Sequence, residues 1–178
     1  MKRILFPIVA LAFAASSVLA ADAPARPNPK LKELKYFVGT WQCKGTAYAF
    51  MGTPEHKTAG TVEANWILND YWLSLRYHES KTASNTQPVA VNFSWGWDEQ
   101  AKKFAAGAID NMGAYYIQSS PGWEGDKLTF EGDIHTGGPT MKVRDVLTKM
   151  SATKVMHTGE IEMDGKWTKL DEETCVKK

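Results

Sequence analysis

The chain has 178 residues, of which 23% are charged, and its formal net charge is +1 at pH 7. This balance excludes a strongly basic nucleic-acid-binding protein, and no run of like charges marks a charged tail. Aromatic residues are frequent, with seven Trp, six Tyr and seven Phe, whereas the chain has two cysteines. The length and composition predict one globular domain.

The first twenty residues predict a secretory signal peptide. Lys2 and Arg3 form a basic start, an apolar run follows to about residue 15, and small residues stand at positions 18 and 20. A transmembrane anchor would need a longer apolar run, and this one contains Pro7. We therefore expect cleavage after Ala20, a periplasmic or secreted protein, and no membrane attachment after cleavage.

A flexible linker and a short helix are predicted next. Residues 21–29 read ADAPARPNP, a composition typical of a linker. Asn28 suits the N-cap of a helix and Pro29 suits its first position. Leu31, Leu34 and Phe37 then recur at helical spacing. Residues 30–178 are predicted to form a single domain.

From residue 40 onward the chain predicts short strands separated by turns. Asn69-Asp70 and Asp164-Gly165 are typical of hairpin turns. Sequential strands without room for crossover helices predict an all-β, antiparallel up-and-down sheet, and closure removes its exposed edges. We therefore expect a single barrel of eight to ten strands. The predicted strands are Thr40–Phe50, Lys57–Leu68, Tyr71–Glu79, Val89–Trp97, Lys103–Asp110, Ala114–Ser119, Lys127–Ile134, Met141–Lys149, Lys154–Met163 and Lys166–Asp171.

The two cysteines lie near opposite ends of the predicted barrel. Cys43 falls in the first predicted strand, and Cys175 lies three residues from the end of the chain. In a closed meander the first and last strands are neighbours, so the two cysteines can come within bridging distance. A secreted chain with two cysteines most simply forms one disulfide. We predict a Cys43–Cys175 disulfide rather than catalytic or metal-binding cysteines.

Alternation along the predicted strands places many aromatic residues on the inner face. Such an interior either packs solid or lines an apolar pocket. Small residues such as Gly45, Ala106 and Gly159 on the same faces favour a pocket, although they also leave room for neighbouring tryptophans in a packed barrel. The residues predicted to line the pocket are Trp66, Phe93, Trp95, Phe130, Met141 and His157.

Six short patches of sequence resemble a known family. They are FVGTW at 37–41, WILN at 66–69, WGWD at 95–98, DNMG at 110–113, GWEGD at 122–126 and LDEETC at 170–175. The Gly39-Thr40-Trp41 start of the first strand is similar to the Gly-x-Trp of lipocalin-like (calycin-type) barrels. Together the patches resemble bacterial secreted proteins with the domain of unknown function 1579, over nearly all of residues 30–176. The resemblance implies a lipocalin-like barrel and implies no activity.

His157 is the most notable single residue of the predicted interior. It shares a strand face with Val155 and Ile161, and a neutral imidazole there can ligate haem iron. This arrangement resembles nitrobindin-type haem barrels, which also carry a Gly-x-Trp near the start and a histidine on a late strand. The alternative is a core or rim histidine that is satisfied by hydrogen bonds. The other histidines lack the close spacing of a zinc site, so no metal ligand is expected among them.

Three functions from different classes fit these features. The main prediction is a carrier that binds a small apolar or aromatic molecule inside the barrel and needs no cofactor. The second is a haem-binding sensor or scavenger that uses His157. The third is a lyase or isomerase with a pocket Tyr or Asp as its acid or base. No Ser-centred elbow, phosphate-binding loop or Cys–His nucleophile motif supports another enzyme class.

Overall fold

The computed structural model describes residues 27–83 and 85–178 of the chain. The predicted signal peptide and most of the predicted linker lie outside the described residues. A 3-10 helix spans Pro29–Phe37, and the Asn28 side chain caps it by accepting the backbone N–H of Lys30 at 2.8 Å. The apolar side of this helix is buried through Leu31, Leu34 and Phe37, so the helical spacing in the sequence marked a packed face.

The strands form a closed antiparallel barrel. Neighbouring strands pair in sequence order, β1 also pairs with β11, and β6 pairs with β8 to close the ring. Ten strands make up the barrel, and the two-residue β7 is an additional strand beside β8, which confirms the predicted fold class. The strands are β1 (Gly39–Ala47), β2 (His56–Ile67), β3 (Trp72–Glu79), β4 (Ala90–Asp98), β5 (Lys103–Asp110), β6 (Tyr115–Ser120), β7 (Trp123–Glu124), β8 (Lys127–His135), β9 (Met141–Ser151), β10 (Lys154–Met163) and β11 (Lys166–Lys177).

Several strands differ from the sequence prediction: the first ends at Ala47 instead of Phe50, and the short β7 was not predicted. The last strand was expected to end at Asp171 but continues to Lys177, because its acidic residues alternate between the two faces of a strand that pairs with both β1 and β10. Leu68 was assigned to the end of the second strand, whereas it lies in the following turn with a φ of 51° and is 70% exposed. Leu68 is apolar and fits a strand, but Asn69 and Asp70 favour a turn, and the turn includes Leu68.

The predicted disulfide joins the first and last strands. Cys43 and Cys175 are direct partners in the β1–β11 register, and their sulfur atoms are bonded across a sequence separation of 132 residues. Both cysteines are buried, and no free cysteine occurs in the described part of the chain. A buried disulfide is typical of proteins from oxidising compartments, which agrees with location outside the cytoplasm.

The helix closes one end of the barrel, which we name the helix end. Phe37 meets the Trp95 ring edge-on at 5.2 Å between centroids, and Trp95 stacks on Phe130 at 4.6 Å. The Trp41 indole donates a hydrogen bond to the Phe37 carbonyl at 2.6 Å, which ties the helix to β1. Aromatic packing of this kind adds to the free energy of apolar burial. The half of the interior beside the helix is therefore a packed aromatic core.

A second, smaller apolar cluster lies towards the opposite end, which we name the far end. Its buried members are Ala114, Ile134, Val143 and Ile161, and the half-buried Phe50, Tyr116, Met141 and Leu170 pack against it. The two clusters occupy different levels of the same interior, because the β9 residues Val143 and Leu147 belong to different clusters and point to the same side of the strand. One level of the barrel separates them.

Candidate functional site

Polar side chains fill the level between the two apolar clusters. On β9, for example, Asp145 lies between the inward-pointing Val143 and Leu147 and shares their face. In β11, Asp171, Glu173 and Cys175 are two residues apart, so their side chains lie on the same inward face of the strand. We name this group the polar layer. Its members are Thr58, Tyr77, Gln118, Asp145, His157, Asp171 and Glu173.

His157 stands between two carboxylates of this layer. Its Nε2 lies 2.8 Å from Asp145 Oδ1, and its Nδ1 lies 3.1 Å from Asp171 Oδ1. Carboxylates only accept hydrogen bonds when ionised, so an imidazole that satisfies both must carry a proton on each nitrogen. The geometry therefore describes an imidazolium between two aspartates.

The electrostatics of the layer agree with this protonation state. Burial by itself lowers the pKa of His157, but the charge of Asp171 and the hydrogen bonds to Asp145 and Asp171 outweigh that effect. The pKa of His157 consequently lies well above its ordinary value of 6.5. Asp145 is fixed from a second side, because Gln118 Nε2 donates to its Oδ2 at 2.6 Å. The histidine is therefore held in one orientation, and its protonated form is favoured.

Glu173 is the most deeply buried carboxylate of the layer. Its Oε1 accepts hydrogen bonds from the hydroxyl of Thr58 at 2.6 Å and from the hydroxyl of Tyr77 at 2.9 Å. Burial raises the pKa of Glu173, and these two hydrogen bonds oppose that rise by favouring the ionised form. Burial and the neighbouring Glu173 raise the pKa of Tyr77, which keeps the phenol protonated as a donor.

Tyr116 joins the polar layer to the apolar cluster of the far end. Its hydroxyl donates to Asp110 Oδ2 at 3.2 Å, and burial followed by the charge of Asp110 raises the pKa of the phenol. Its ring lies 6.4 Å from that of Phe93. An aromatic wall therefore continues from the packed core past the polar layer.

Several inward-pointing side chains of the layer keep accessible surface. The exposed fraction of the side chain is 26% for His157, 18% for Asp145 and 33% for Asp171. A side chain that points into a barrel and still has accessible surface adjoins a space wide enough for water. The packed core below is different, since Phe130 is 1% and Trp95 is 4% exposed.

The six residues predicted to line a pocket fall at different levels. Trp95 and Phe130 belong to the packed core, against which Trp66 and Phe93 are half-buried. Met141 packs on the far-end cluster, and His157 lies in the polar layer. The structure thus brings His157 and Phe93 to the level of the accessible space, and the ligand-binding role of all six residues stays a prediction.

The small residues used to predict a pocket have specific neighbours. A side chain at Gly159 would collide with the carboxylate of Asp171, and one at Gly45 would collide with the backbone of Glu172. Ala106 faces Trp95 in the β4–β5 register and is buried. These positions therefore make room for other parts of the protein, and the accessible space lies beside the polar layer instead.

The partners of His157 were not predicted from the sequence, and no role was expected for Asp145, Asp171, Glu173 or Gln118. The signal that identifies them is the two-residue period, since Asp145 is two residues from both Val143 and Leu147. A charged residue at an inward-facing position of a strand therefore indicates the polar layer in this barrel.

Two outer cavities lie away from the polar layer. One, of about 250 Å³, is lined by Tyr36, Asp126, Lys149, Met150, Ser151 and Ala152, beside the helix end. The other, also of about 250 Å³, is lined by Ser119, Pro121, Gly122, Glu124, Lys127, Thr129 and Glu131. Both are shallow surface features made from loops and outward-facing strand residues, so neither contains the clustered chemistry found inside the barrel.

Comparison with known proteins identifies the family of the chain. Among solved structures it is similar to a redesigned beta barrel, with 18% sequence identity, coverage of 81% of this chain and 93% of that chain, and a TM-score of 0.41. No curated protein matches the chain. Among the described residues, no helix is long and apolar enough to cross a membrane. The family described as "Protein of unknown function (DUF1579)" matches residues 26–176, and the chain therefore belongs to this family.

Proposed function

We propose that this protein binds a small molecule inside its barrel, between the polar layer and the far end, and does so in the periplasm or outside the cell. The helix and the aromatic core fill the helix end, so the ligand enters from the far end. A polar group of the ligand contacts the polar layer, and an apolar or aromatic body lies against the wall above it.

The observation that carries this proposal is the accessible surface of His157 and Asp171. Both side chains point inward, and 26% and 33% of their surfaces are exposed. Buried polar networks that serve stability alone are normally satisfied and shielded from solvent. A network that faces an accessible space is typical of a binding site, in which a few polar groups orient the ligand and apolar walls contact its body.

The neighbouring apolar side chains supply such a wall. Phe93 and Tyr116 lie with ring centroids 6.4 Å apart, and Met141 is half-buried in the far-end cluster. Aromatic rings and methionine adapt well to flat or irregular apolar groups. These three residues are the side chains that we expect to contact the apolar body of the ligand.

Binding can be tested with the neutral naphthalene dye prodan, whose emission reports an apolar environment. We expect saturable one-to-one binding to the purified protein with quenching of tryptophan fluorescence. Ala47→Leu should weaken binding at least tenfold, because Ala47 pairs with Asp171 and shares its inward face. Ala59→Leu, which adds the same side chain on the outer face of β2, should bind like the wild type. Absence of saturable binding, or equal effects of the two substitutions, would refute the proposed location.

Two other functions use the same residues. Haem ligation requires a lone pair on one nitrogen of His157, and both nitrogens face carboxylates at hydrogen-bonding distance, so this alternative is less supported. Lyase or isomerase chemistry is the second candidate, since a histidine paired with a carboxylate is a common general acid or base. Chemical conversion of a bound compound, lost in His157→Gln, would distinguish such an enzyme from a carrier.

A further inference from the structure

We infer that the ligand of the polar layer is an organic cation, in which an ammonium, amidinium or guanidinium group is attached to an apolar or aromatic body. The inference rests on the proposed function, because it names the chemical class of molecule that the same space would bind. Three observations favour this class. The layer has few free hydrogen-bond donors but has free acceptors, one buried carboxylate oxygen has no donor, and the interior carries net negative charge.

Nearly all the hydrogen-bond donors of the layer already have an acceptor within it. Both nitrogens of His157 face aspartates, and the Gln118 amide donates to Asp145. The hydroxyls of Thr58 and Tyr77 both donate to Glu173. The second N–H of the Gln118 amide is left over, but Gln118 is only 5% exposed. A ligand that needs several donors from these side chains, such as a carboxylate or a phosphate, would therefore have to break one of these bonds.

Acceptors remain available in the same layer. Asp171 uses its Oδ1 to accept from His157, whereas its Oδ2 lies over Gly159 and receives no hydrogen bond from the described residues. The Asp171 side chain is also the more exposed of the two that flank the imidazole, at 33% against 18% for Asp145. A ligand that approaches this oxygen makes a good hydrogen bond only if it brings a donor.

A second carboxylate, Glu79 on β3, has an oxygen without a hydrogen-bond donor. The Glu79 side chain is 3% exposed, and its Oε1 has no hydrogen-bond partner, although its Oε2 accepts the backbone N–H of Val89 at 3.0 Å. Glu79 contributes with Glu173 and Asp171 to raising the pKa of Tyr77, so the three carboxylates act on the same region of the interior. A buried carboxylate oxygen without a donor is costly, and a cationic group would relieve that cost.

The adjacent His56 does not supply the missing donor. Its Nδ1 lies 3.0 Å from the Pro54 carbonyl, so Nδ1 carries the proton. Asn85 accepts the backbone N–H of Gln87 through Oδ1, and its Nδ2 is therefore the group that donates to His56 Nε2 at 3.2 Å. The Nε2 lone pair is thus used as an acceptor. The 3.4 Å approach of Glu79 Oε1 to this nitrogen does not form a hydrogen bond.

The interior charge has the sign that a cation requires. Asp145, Asp171 and Glu79 are three carboxylates, whereas His157 supplies one positive charge. The group is therefore negative overall, even without Glu173. Lys149 on β9 and Lys177 on β11 lie on the same inward faces as these aspartates, but both amines are at the helix end. The Lys149 Nζ lies 3.6 Å from the Trp123 ring centroid, and the Lys177 Nζ donates to the Tyr36 carbonyl at 3.2 Å. Opposite charges attract strongly where water is partly excluded, and aromatic faces such as that of Phe93 also favour cations.

The test is a calorimetric titration of the purified protein with three matched probes. 4-Phenylbutylamine, 4-phenylbutan-1-ol and 4-phenylbutyrate share one apolar body and differ in the charge of the terminal group. We expect the amine to bind at least tenfold more tightly than the alcohol, and the carboxylate to bind more weakly than either. If the three bind equally, or the carboxylate binds best, the cation assignment is wrong while the binding proposal stands. If none binds, both are wrong.

Substitutions then locate the charge effect. Asp171→Asn should remove most of the preference for the amine over the alcohol, because the substitution removes the negative charge that favours the ammonium group and keeps the size of the side chain. Glu79→Gln should reduce the same preference and provides a second variant if Asp171→Asn is poorly folded. Glu162→Gln removes the same charge from an exposed position on β10 and should leave the preference unchanged. Equal losses in Glu162→Gln and Asp171→Asn would overturn the assignment.

Discussion

At the scale of single residues, His157 holds the polar layer together. It contacts one aspartate on β9 and another on β11, so its charge links two strands that flank β10. Because its pKa is raised in the folded protein, the folded state binds this proton more tightly than the unfolded state does. The resulting stabilisation is full below the pKa of the unfolded chain and is lost as the pH rises through the higher pKa of the folded state.

This linkage predicts that His157→Gln lowers the free energy of unfolding by an amount that depends on pH. At pH 6 the substitution should lower the free energy of unfolding by about 2 kcal/mol, since two charge-assisted hydrogen bonds are lost. The cost should shrink as the pH rises through the folded-state pKa, because the wild-type imidazole then loses its charge as well. Urea unfolding of both proteins between pH 6 and pH 9 measures the difference. His78→Gln, on the outer face of β3, should show no such trend. A cost that grows with pH would contradict the assigned charge state.

At the scale of elements, the pairing of β1 with β11 completes one side of the barrel, and the disulfide reinforces it. A cross-link over 132 residues restricts the unfolded chain strongly. In the chain-entropy model this contributes up to about 5 kcal/mol. The bond also lies against the packed core, where Cys43 is 1% exposed, so its sulfur atoms contribute apolar contacts.

Removal of this bond should destabilise the protein without changing its fold. The double substitution Cys43→Ala and Cys175→Ala is expected to lower the free energy of unfolding by roughly 3–5 kcal/mol while the far-ultraviolet circular dichroism spectrum stays that of a β protein. Denaturant unfolding measures the difference, and wild-type protein under the same non-reducing conditions is the control. A loss below about 1 kcal/mol would show that the strand pairing itself, rather than the cross-link, closes this side of the barrel.

Most elements of the fold were predictable from the sequence, because local chemistry specifies them. Asp164 and Gly165 adopt φ angles of 51° and 73°, as a two-residue hairpin turn requires. Asn69 and Asp70 adopt 56° and 65° in the four-residue turn 68–71, where residues that tolerate positive φ are favoured. The length of β11 was not predictable in this way. Its acidic end lacks an apolar pattern, and it forms a strand because β1 and β10 supply hydrogen bonds on both sides.

The candidate site was predictable only in part. The alternation of side chains along a strand places His157 inside the barrel, as the structure shows. This alternation does not tell which residues of the neighbouring strands contact the imidazole. Asp145 and Asp171 approach the imidazole through the registers of β9 with β10 and of β10 with β11, and a bulge between Gly159 and Glu160 shifts the second register. Register shifts of this kind depend on the closed barrel as a whole, so sequence patterns alone could not predict that Asp145 and Asp171 contact His157.

At the scale of the whole molecule, the interior has three levels with different roles. The helix and the aromatic core give stability at the helix end, and the apolar cluster with Phe50 and Met141 forms the wall of the far end. The polar layer lies between them, and its side chains adjoin accessible space. This arrangement separates the packed apolar core from the polar side chains that adjoin the accessible space.

The most direct test of this arrangement is nuclear magnetic resonance of the purified protein during titration with 4-phenylbutylamine. The ring nitrogen signals of His157 and the methyl signal of Met141 should shift together and saturate at one equivalent. The methyl signals of Leu34, which is completely buried in the core beneath the helix, should stay unchanged. Shifts confined to Met150 and Ala152 of the outer cavity, with His157 unaffected, would contradict a binding site inside the barrel.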